Sequence, residues 1–247
     1  MTKIDISLVV TFHDEGLLAH STLNSIDLCR RFAENNGVRT EYIWVMDAVS
    51  EETRRVLIRH PSASKDTNII EVNNHDLGLS RNAGVAKANG DTIAILDGDD
   101  YYSKNWIERA CAFLSEYGDN AIMHPEVVVS FGVNASYCWQ IDQHLNPTAK
   151  EAILTNNLWT SWTVARKSVY EDYPYSATKP QSTGFGFEDW HWNCQTISGG
   201  MLHRTAPGTV GFYRRKSESL VKNTVMVNAL IPTTSLFDPS LILSNQP

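Results

Sequence analysis

Residues 77–100 read LGLSRNAGVAKANGDTIAILDGDD, and the fold class follows from how that stretch divides. Residues 80–89 have a helical pattern, with Gly90 as the stop. Residues 92–96 (TIAIL) are almost continuously apolar, which is how a strand buried on both faces reads. The strand gives way at once to Asp97-Gly98-Asp99-Asp100. Helix, buried strand and polar turn make up one unit of an alternating α/β sheet.

Working outward, the same unit repeats. Residues 4–12 (IDISLVVTF), 41–46 (EYIWVM) and 68–72 read as further strands. Residues 17–36 place Leu18, Thr22, Ile26, Cys29 and Ala33 along one helical stripe that ends at Gly37. Ser50 reads as an N-cap ahead of Glu51 and Glu52, and Pro61 closes that helix. Residues 103–117 form an amphipathic helix stopped by Gly118. The order βαβαβαβα predicts a mostly parallel sheet with helices on both faces and right-handed connections. Such sheets bind ligands beyond the carboxyl ends of their strands. Those ends carry Thr11-Phe12-His13-Asp14-Glu15, then Asp47, then Asn73, Asn74, His75 and Asp76, and finally the acidic turn at 97–100. Four polar ends at one edge predict a site there.

The second half is less regular. Residues 121–131 and 160–169 (TSWTVARKSV) read as strands, 133–158 give no clear pattern, and 173–186 form a loop rich in Pro, Ser, Thr and Gly. Residues 188–198 read as a helix stopped by Gly199-Gly200. Residues 224–237, the longest uncharged stretch, read as a surface-packed coil or a docking tail. No internal repeat or linker divides the chain.

Composition sets the outer bounds. The 247 residues, 42% hydrophobic and 20% charged, suit one large globular domain. A net charge of −7 without a basic block argues against nucleic acid as a partner. Cys29, Cys111, Cys138 and Cys194 are scattered, without a CxxC pair, and read as reduced thiols of a cytoplasmic protein. The N-terminal run lacks the longer apolar core of a signal peptide, and no segment approaches the roughly 20 apolar residues of a membrane span. HExxH, GxSxG and GxxxxGK[ST] patterns are absent.

Three clusters carry chemistry. Three carboxylates within 97–100 repel one another unless a cation lies among them, and Mg²⁺ or Mn²⁺ is the natural partner; the alternative is an acidic turn capping the next helix. Gly98 permits a tight turn or close approach of a ligand. In Gly184-Phe185-Gly186-Phe187-Glu188-Asp189-Trp190, two carboxylates open a helix. They either compensate its dipole or include a general base. Phe185, Phe187, Trp190 and Trp192 supply either a flat wall for a sugar ring or core packing. Tyr213-Arg214-Arg215-Lys216 is a basic cluster able to clamp a diphosphate, or else a solvated turn. Arg81 lies at a helix start, where a cation opposes the dipole, so a phosphate or aspartate partner is expected.

Together these residues resemble family 2 glycosyltransferases of the GT-A fold. The opening LVVTFHDEG, Asp47, the long 77–100 match, GFGFEDW and FYRRKSES carry the likeness, strongly over 4–132 and moderately over 160–220. The resemblance implies a GT-A α/β domain with a Rossmann-like sheet. Residues 1–132 would be the nucleotide-sugar half, 133–222 the acceptor and catalytic half, and 223–247 a tail. It implies that Thr11, His13, Glu15 and Asn74 line the nucleotide pocket, Asp47 contacts the base, and Arg81, Asp97 and Gly98 meet the nucleotide sugar. Asp99 would hold Mn²⁺ or Mg²⁺, and Arg214 and Arg215 would meet the diphosphate. Asp189 would be the catalytic base supported by Glu188, with Gly186, Phe187 and Trp190 on the acceptor side. Many relatives carry a histidine where Lys216 stands, and His203 is a weak substitute for it.

The implied reaction is inverting transfer from a nucleotide diphosphate sugar to a glycan or lipid-linked glycan, in surface polysaccharide synthesis. Asp47 would accept from uracil or thymine N3–H, which favours UDP or dTDP, although it can also accept from guanine. The expected location is cytoplasmic or peripheral at the inner face of the membrane, with further domains or membrane-associated partners. The alternatives are a degenerate domain that binds glycans or acts as a scaffold, a nucleotidylyltransferase, which would need a glycine-rich phosphate loop, and a glycosidase. Adjacent Glu188 and Asp189 are poorly placed to flank one glycosidic bond.

Overall fold

The computed structural model describes residues 3–217 and 219–238. Met1, Thr2, Glu218 and the outer part of the expected 223–247 tail lie outside the described residues. The first half alternates as expected: β1 (Ile6–Phe12), α1 (Leu18–Asn35), β2 (Thr40–Asp47), α2 (Glu51–Arg59), β3 (Thr67–Val72), α3 (Leu77–Lys87) and β4 (Thr92–Asp97). There follow β5 (Tyr101–Tyr102), α4 (Trp106–Tyr117), β6 (Ala121–Gly132), β7 (Ser136–Trp139), α5 (Ala149–Ala152), β8 (Thr163–Arg166), α6 (Lys167–Asp172), α7 (Pro180–Thr183), α8 (Glu188–Ser198), β9 (Leu202–Arg215) and α9 (Leu220–Met226). A single 3₁₀ turn at Ser235–Phe237 closes the described chain.

The strands form one sheet in the order β3-β2-β1-β4-β8-β6-β9-β5, with β7 paired to β6. Strands β3, β2, β1 and β4 are parallel. Strand β8 runs antiparallel to both β4 and β6, and β6 and β9 are parallel again. The sheet is therefore mixed, with its parallel half built by the alternating units.

The continuous apolar runs are explained by burial on both faces. Ile6, Leu8, Val10 and Phe12 of β1, with Trp44, Met46, Ala94 and Leu96, join Leu23 and Ile26 of α1 and Trp106 of α4 in one cluster. The intervening Val9, Ile43, Val45, Ile93 and Ile95 join Val85 of α3 in a second cluster on the opposite face. The period of two is thus obeyed with apolar residues at both phases. Helix α3 begins at Leu77, ahead of the expected Ser80, because the Asp76 carboxylate accepts the Leu79 N–H at 2.9 Å and caps it.

Two expectations for the second half are corrected, and one strand is added. The expected strand at 160–169 is a strand only over Thr163–Arg166; Val169 and Tyr170 are buried from the helix that follows, so the pattern changes from strand to helical spacing after Arg166. Strand β9, not recognised in the sequence, pairs with β6 from Ala121↔Leu202 to Gly132↔Arg215, with one irregularity between Pro125 and Val127. The stretch 224–237 is more than a coil. It begins within α9, which Ser219 caps, and it seats Leu236 among Ile153, Trp159, Cys194 and Ile197. No helix among the described residues is long and apolar enough to cross a membrane.

His203 is fully buried near the start of β9, while Arg214 lies at that strand's far end, so His203 cannot stand in for a histidine at position 216. Its Nε2 lies 2.9 Å from Thr196 Oγ1 and its Nδ1 lies 2.9 Å from His124 Nε2. The Thr196 hydroxyl donates to backbone carbonyls. The network therefore requires His203 Nε2 to donate to Thr196 and His203 Nδ1 to accept from His124. Burial lowers both histidine pKa values, that of His124 to about 3. An unfolded histidine takes up its proton near pH 6.5, well before these folded ones. The pair therefore favours the fold above pH 6.5 and withdraws that stability as pH falls, by about 1.4 kcal/mol per pH unit per histidine. Histidine ¹⁵N chemical shifts should show both rings neutral at pH 5, and a charged imidazolium at either position would contradict this account.

Candidate active site

The parallel register sets Thr11 opposite both Val45 and Asp97, so the carboxyl ends of β1, β2 and β4 share one edge. Gly98 packs against the end of β1 so closely that a Cβ there would lie 2.6 Å from the Thr11 carbonyl oxygen. Any larger residue would push the acidic turn away from the edge.

At the end of β2, both Asp47 carboxylate oxygens are occupied. Oδ1 accepts the N–H groups of Asn74 (2.7 Å) and His75 (3.0 Å). Oδ2 accepts the Asp76 N–H (3.2 Å) and the Ser80 hydroxyl (2.8 Å). Burial opposes the charge, but these donors outweigh it and lower the Asp47 pKa. Asp47 thus shapes the loop from β3 into α3. The Asp47 carbonyl accepts from His13 Nδ1 at 2.6 Å. Glu15 accepts the His13 N–H at 2.6 Å; burial, and after it Asp99, raises its pKa to about 7.

Arg81 joins the two halves. It is fully buried, with Nη2 2.9 Å from Asp97 Oδ1 and Nη1 3.0 Å from Glu188 Oε1. Its guanidinium carbon also lies 5.3 Å from the centre of the Tyr175 ring. Because α3 begins at Leu77, Arg81 lies in its second turn and not at the expected helix start, and the expected partner is found as an aspartate from β4 together with a glutamate from α8. Asp97 Oδ2 accepts the Ser161 hydroxyl at 2.6 Å. Glu188 is pushed upward in pKa by burial and by neighbouring Asp189, against the pull of Arg81.

Asp189 is half-buried at the start of α8. Its Oδ2 accepts from Asn157 Nδ2 at 2.9 Å, and Asn157 Oδ1 accepts in turn from Asn193 at 2.9 Å. Burial raises its pKa, with Arg81 opposing. Phe187 enters the helix at φ 58°, a left-handed conformation that turns the chain sharply into Glu188. Gly186 and Gly184 are bonded to Leu230: Gly186 N–H to the Leu230 carbonyl and Leu230 N–H to the Gly184 carbonyl, each at 2.9 Å. A Cβ on Gly186 would come within 2.3 Å of Thr224. Of the expected aromatic wall, Phe185 is exposed and Phe187 meets Trp190 edge-on at 5.8 Å. Trp192 instead stacks between Tyr170 and Tyr175 in the core.

Strand pairing carries the C-terminal basic cluster to the acidic turn. Tyr101 pairs with Phe212 and Tyr102 with Gly211. Asp100 is buried and accepts the Arg214 N–H (2.6 Å) and the Trp162 indole N–H (3.1 Å). Burial, then Asp99 and Asp97, push its pKa well above the carboxylate range. The Arg214 side chain donates to the Asp99 carbonyl (2.8 Å) and the Tyr101 hydroxyl, and lies over the Tyr101 and Phe131 rings. Arg215 is exposed beside Tyr213. Lys216 Nζ lies 2.6 Å from Asp99 Oδ2.

That arrangement does not fit the expected divalent ion. Asp97 and Asp100 have both oxygens engaged, and Asp99 already faces an ammonium group. Among the described residues no group of three or more His, Cys, Asp or Glu side chains is arranged to hold a metal.

The structure thus brings Arg81, Asp97, Glu188 and Asp189 into one network, and Asp99 beside Arg214 and Lys216. Thr11, His13, Glu15, Asp47 and Asn74 lie on the same edge. Ser161, Asn157 and the strut formed by Asp100 escaped the sequence reading. Asn157 falls in the patternless 133–158 stretch, and what Asp100 holds, the Trp162 indole and the Arg214 N–H, is set by strand pairing far along the chain.

The defining pattern of Glycosyl transferase family 2 matches residues 7–173, and the chain belongs to that family. None of the curated proteins matches the chain in sequence. Among solved structures, residues 1–349 of S. aureus TarS align over 85% of this chain and 60% of that one, at 17% identity and TM-score 0.59. Its complex with UDP-GlcNAc aligns over 89% and 61%, at 14% identity and TM-score 0.63. Its complex with UDP aligns over 91% and 64%, at 15% identity and TM-score 0.62. The present chain therefore spans less than two thirds of those structures, and the likeness establishes the shared GT-A fold.

Replacing Arg81 by Met should leave Asp97 and Glu188 buried without their cation. The expected cost is about 3–5 kcal/mol of unfolding free energy. Urea denaturation would measure it, and a loss below about 1 kcal/mol would mean the pairs are not structural.

Proposed function

We propose that this chain is an inverting glycosyltransferase that moves a sugar from a nucleotide diphosphate sugar to the hydroxyl of a glycan or lipid-linked glycan. One observation carries the reading. Asp189 opens α8, held by Asn157, next to a buried Arg81–Asp97–Glu188 network that reaches the carboxyl edge of the parallel strands. A carboxylate whose pKa is raised by burial is a better proton acceptor than an exposed one. The acceptor hydroxyl passes its proton to an Asp189 oxygen. Its oxygen forms a bond to the anomeric carbon as the bond from that carbon to the diphosphate oxygen breaks. The electron pair of that bond leaves on the diphosphate, and one displacement inverts the carbon.

Arg214 and Arg215, fixed at the end of β9, stand where the growing negative charge of the leaving group can be met. Phe187, Trp190 and Gly186 form the acceptor side, with Glu188 holding Asp189's helix to Arg81. UDP and dTDP are favoured over GDP, and the complexes of TarS with UDP and UDP-GlcNAc support the uridine choice. With Asp47 saturated by four donors, discrimination of the base falls to the loop it organises. A role in surface polysaccharide synthesis, in the cytoplasm or at the inner membrane face, is consistent with this donor and acceptor class.

The test is Asp189→Asn. Sugar transfer, followed as UDP release from UDP-sugars over an acceptor panel, should fall by about 10²–10⁴-fold. UDP affinity should change little. Loss of donor binding in that variant would overturn the role of Asp189. Binding of a sugar nucleotide by the wild type without turnover on any acceptor would favour the degenerate, glycan-binding alternative. Wild-type turnover should also decline on the acid side at a pH above the ordinary aspartate range, because Asp189 must be ionised to act.

A further inference from the structure

We propose that Lys216, rather than a divalent ion, is the cation this chain sets against the diphosphate of its nucleotide, so that nucleotide binding needs no metal. The inference rests on the nucleotide-sugar reading above and concerns the same edge of the sheet.

The carboxylates of the acidic turn are already committed. Asp97 is shared by Arg81 and Ser161, and Asp100 is buried against the Arg214 N–H and the Trp162 indole. Asp99 is answered from elsewhere in the chain: its Oδ2 lies 2.6 Å from Lys216 Nζ. Lys216 follows directly on β9, whose pairing with β5 and β6 fixes where its backbone runs. Arg214, two residues earlier, binds the Asp99 carbonyl oxygen and so ties the same two segments together.

Glu15 is the next carboxylate, near enough to act electrostatically on both Asp99 and Lys216. The ammonium is therefore paired with Asp99 and within electrostatic range of Glu15, the carboxylates that the edge offers a divalent ion at this point. A hard divalent ion takes about six oxygen ligands, and it would have to expel Lys216 to reach even these two. An ammonium group has three N–H donors. Asp99 takes one and the others remain for phosphate oxygens, with Arg214 and Arg215 close by on β9. A lysine held this way offers a fixed positive charge without a metal.

Calorimetric titration of UDP into the full chain, in EDTA and in Mn²⁺, tests this. The wild type should bind UDP equally in the two buffers, within about twofold. Lys216→Ala should bind UDP about tenfold more weakly in EDTA, since a contact to a charged group is lost. Mn²⁺ should recover part of that loss, because Asp99 and Glu15 are then left without their cation. Lys216→Gln, which keeps most of the side chain's bulk, should lose affinity in the same way. Circular dichroism melts of both variants should match the wild type.

A wild type that loses tenfold or more affinity in EDTA and regains it with Mn²⁺ would overturn the inference while leaving the nucleotide reading intact. Lys216→Ala binding UDP as tightly as the wild type in EDTA would overturn it too. Absence of UDP binding in both buffers would overturn the nucleotide reading itself, and this inference with it.

Discussion

The site depends on one buried guanidinium. Arg81 comes from α3, Asp97 from β4 and Glu188 from α8, so a single side chain ties the edge of the parallel half to the helix that carries Asp189. A charge placed so deep is stable only when its partners are present and well oriented. The same constraint fixes the rest: Ser161 holds the other oxygen of Asp97, and Asn157 and Asn193 hold the neighbouring Asp189. Two carboxylates for one guanidinium leave surplus negative charge, and the raised pKa of Glu188 relieves it.

The same reasoning governs the acidic turn. Three aspartates in four residues would repel one another in isolation. Here each is answered separately: Asp97 by Arg81, Asp99 by Lys216, and Asp100 by two N–H donors with burial favouring its protonated form. Charge compensation is thus distributed among side chains and backbone, drawn from β9, β8's approach and α3. The basic cluster near the end of β9 and the acidic turn after β4 form one structure, although more than a hundred residues separate them.

How much of this could be read from sequence follows from where the signal resides. The alternation through α4 was legible because strands buried on both faces are apolar at both phases, and each is followed by a helix with a recognisable cap or stop. The site's edge was legible because polar residues cut off each apolar run. The second half was not, for physical reasons. Strand β9 mixes exposed Pro207 and Gly208 with buried Thr205, Ala206 and Thr209, because its irregular pairing with β6 breaks the period of two. The residues at 163–172 pass from strand to helix without a glycine or proline to mark the change. Asn157 acts through a single amide at a half-buried position, and such a residue leaves no pattern. The sequence places Asp99 directly after a buried strand, but the pairing of its carboxylate depends on a lysine 117 positions further along the chain.

The paired bonds between Gly184, Gly186 and Leu230 have a consequence for motion. They make the loop before α8 and the segment after α9 a miniature ladder, closed on one side by Thr224 packed against Gly186. Neither strand of that ladder can lift without breaking the other's backbone bonds, so the two segments belong to one cooperative opening unit. That unit borders the helix start carrying Asp189. Amide exchange at Gly186 and Leu230 should therefore proceed at a common opening rate, making the C-terminal segment a kinetic partner of the loop that leads into α8.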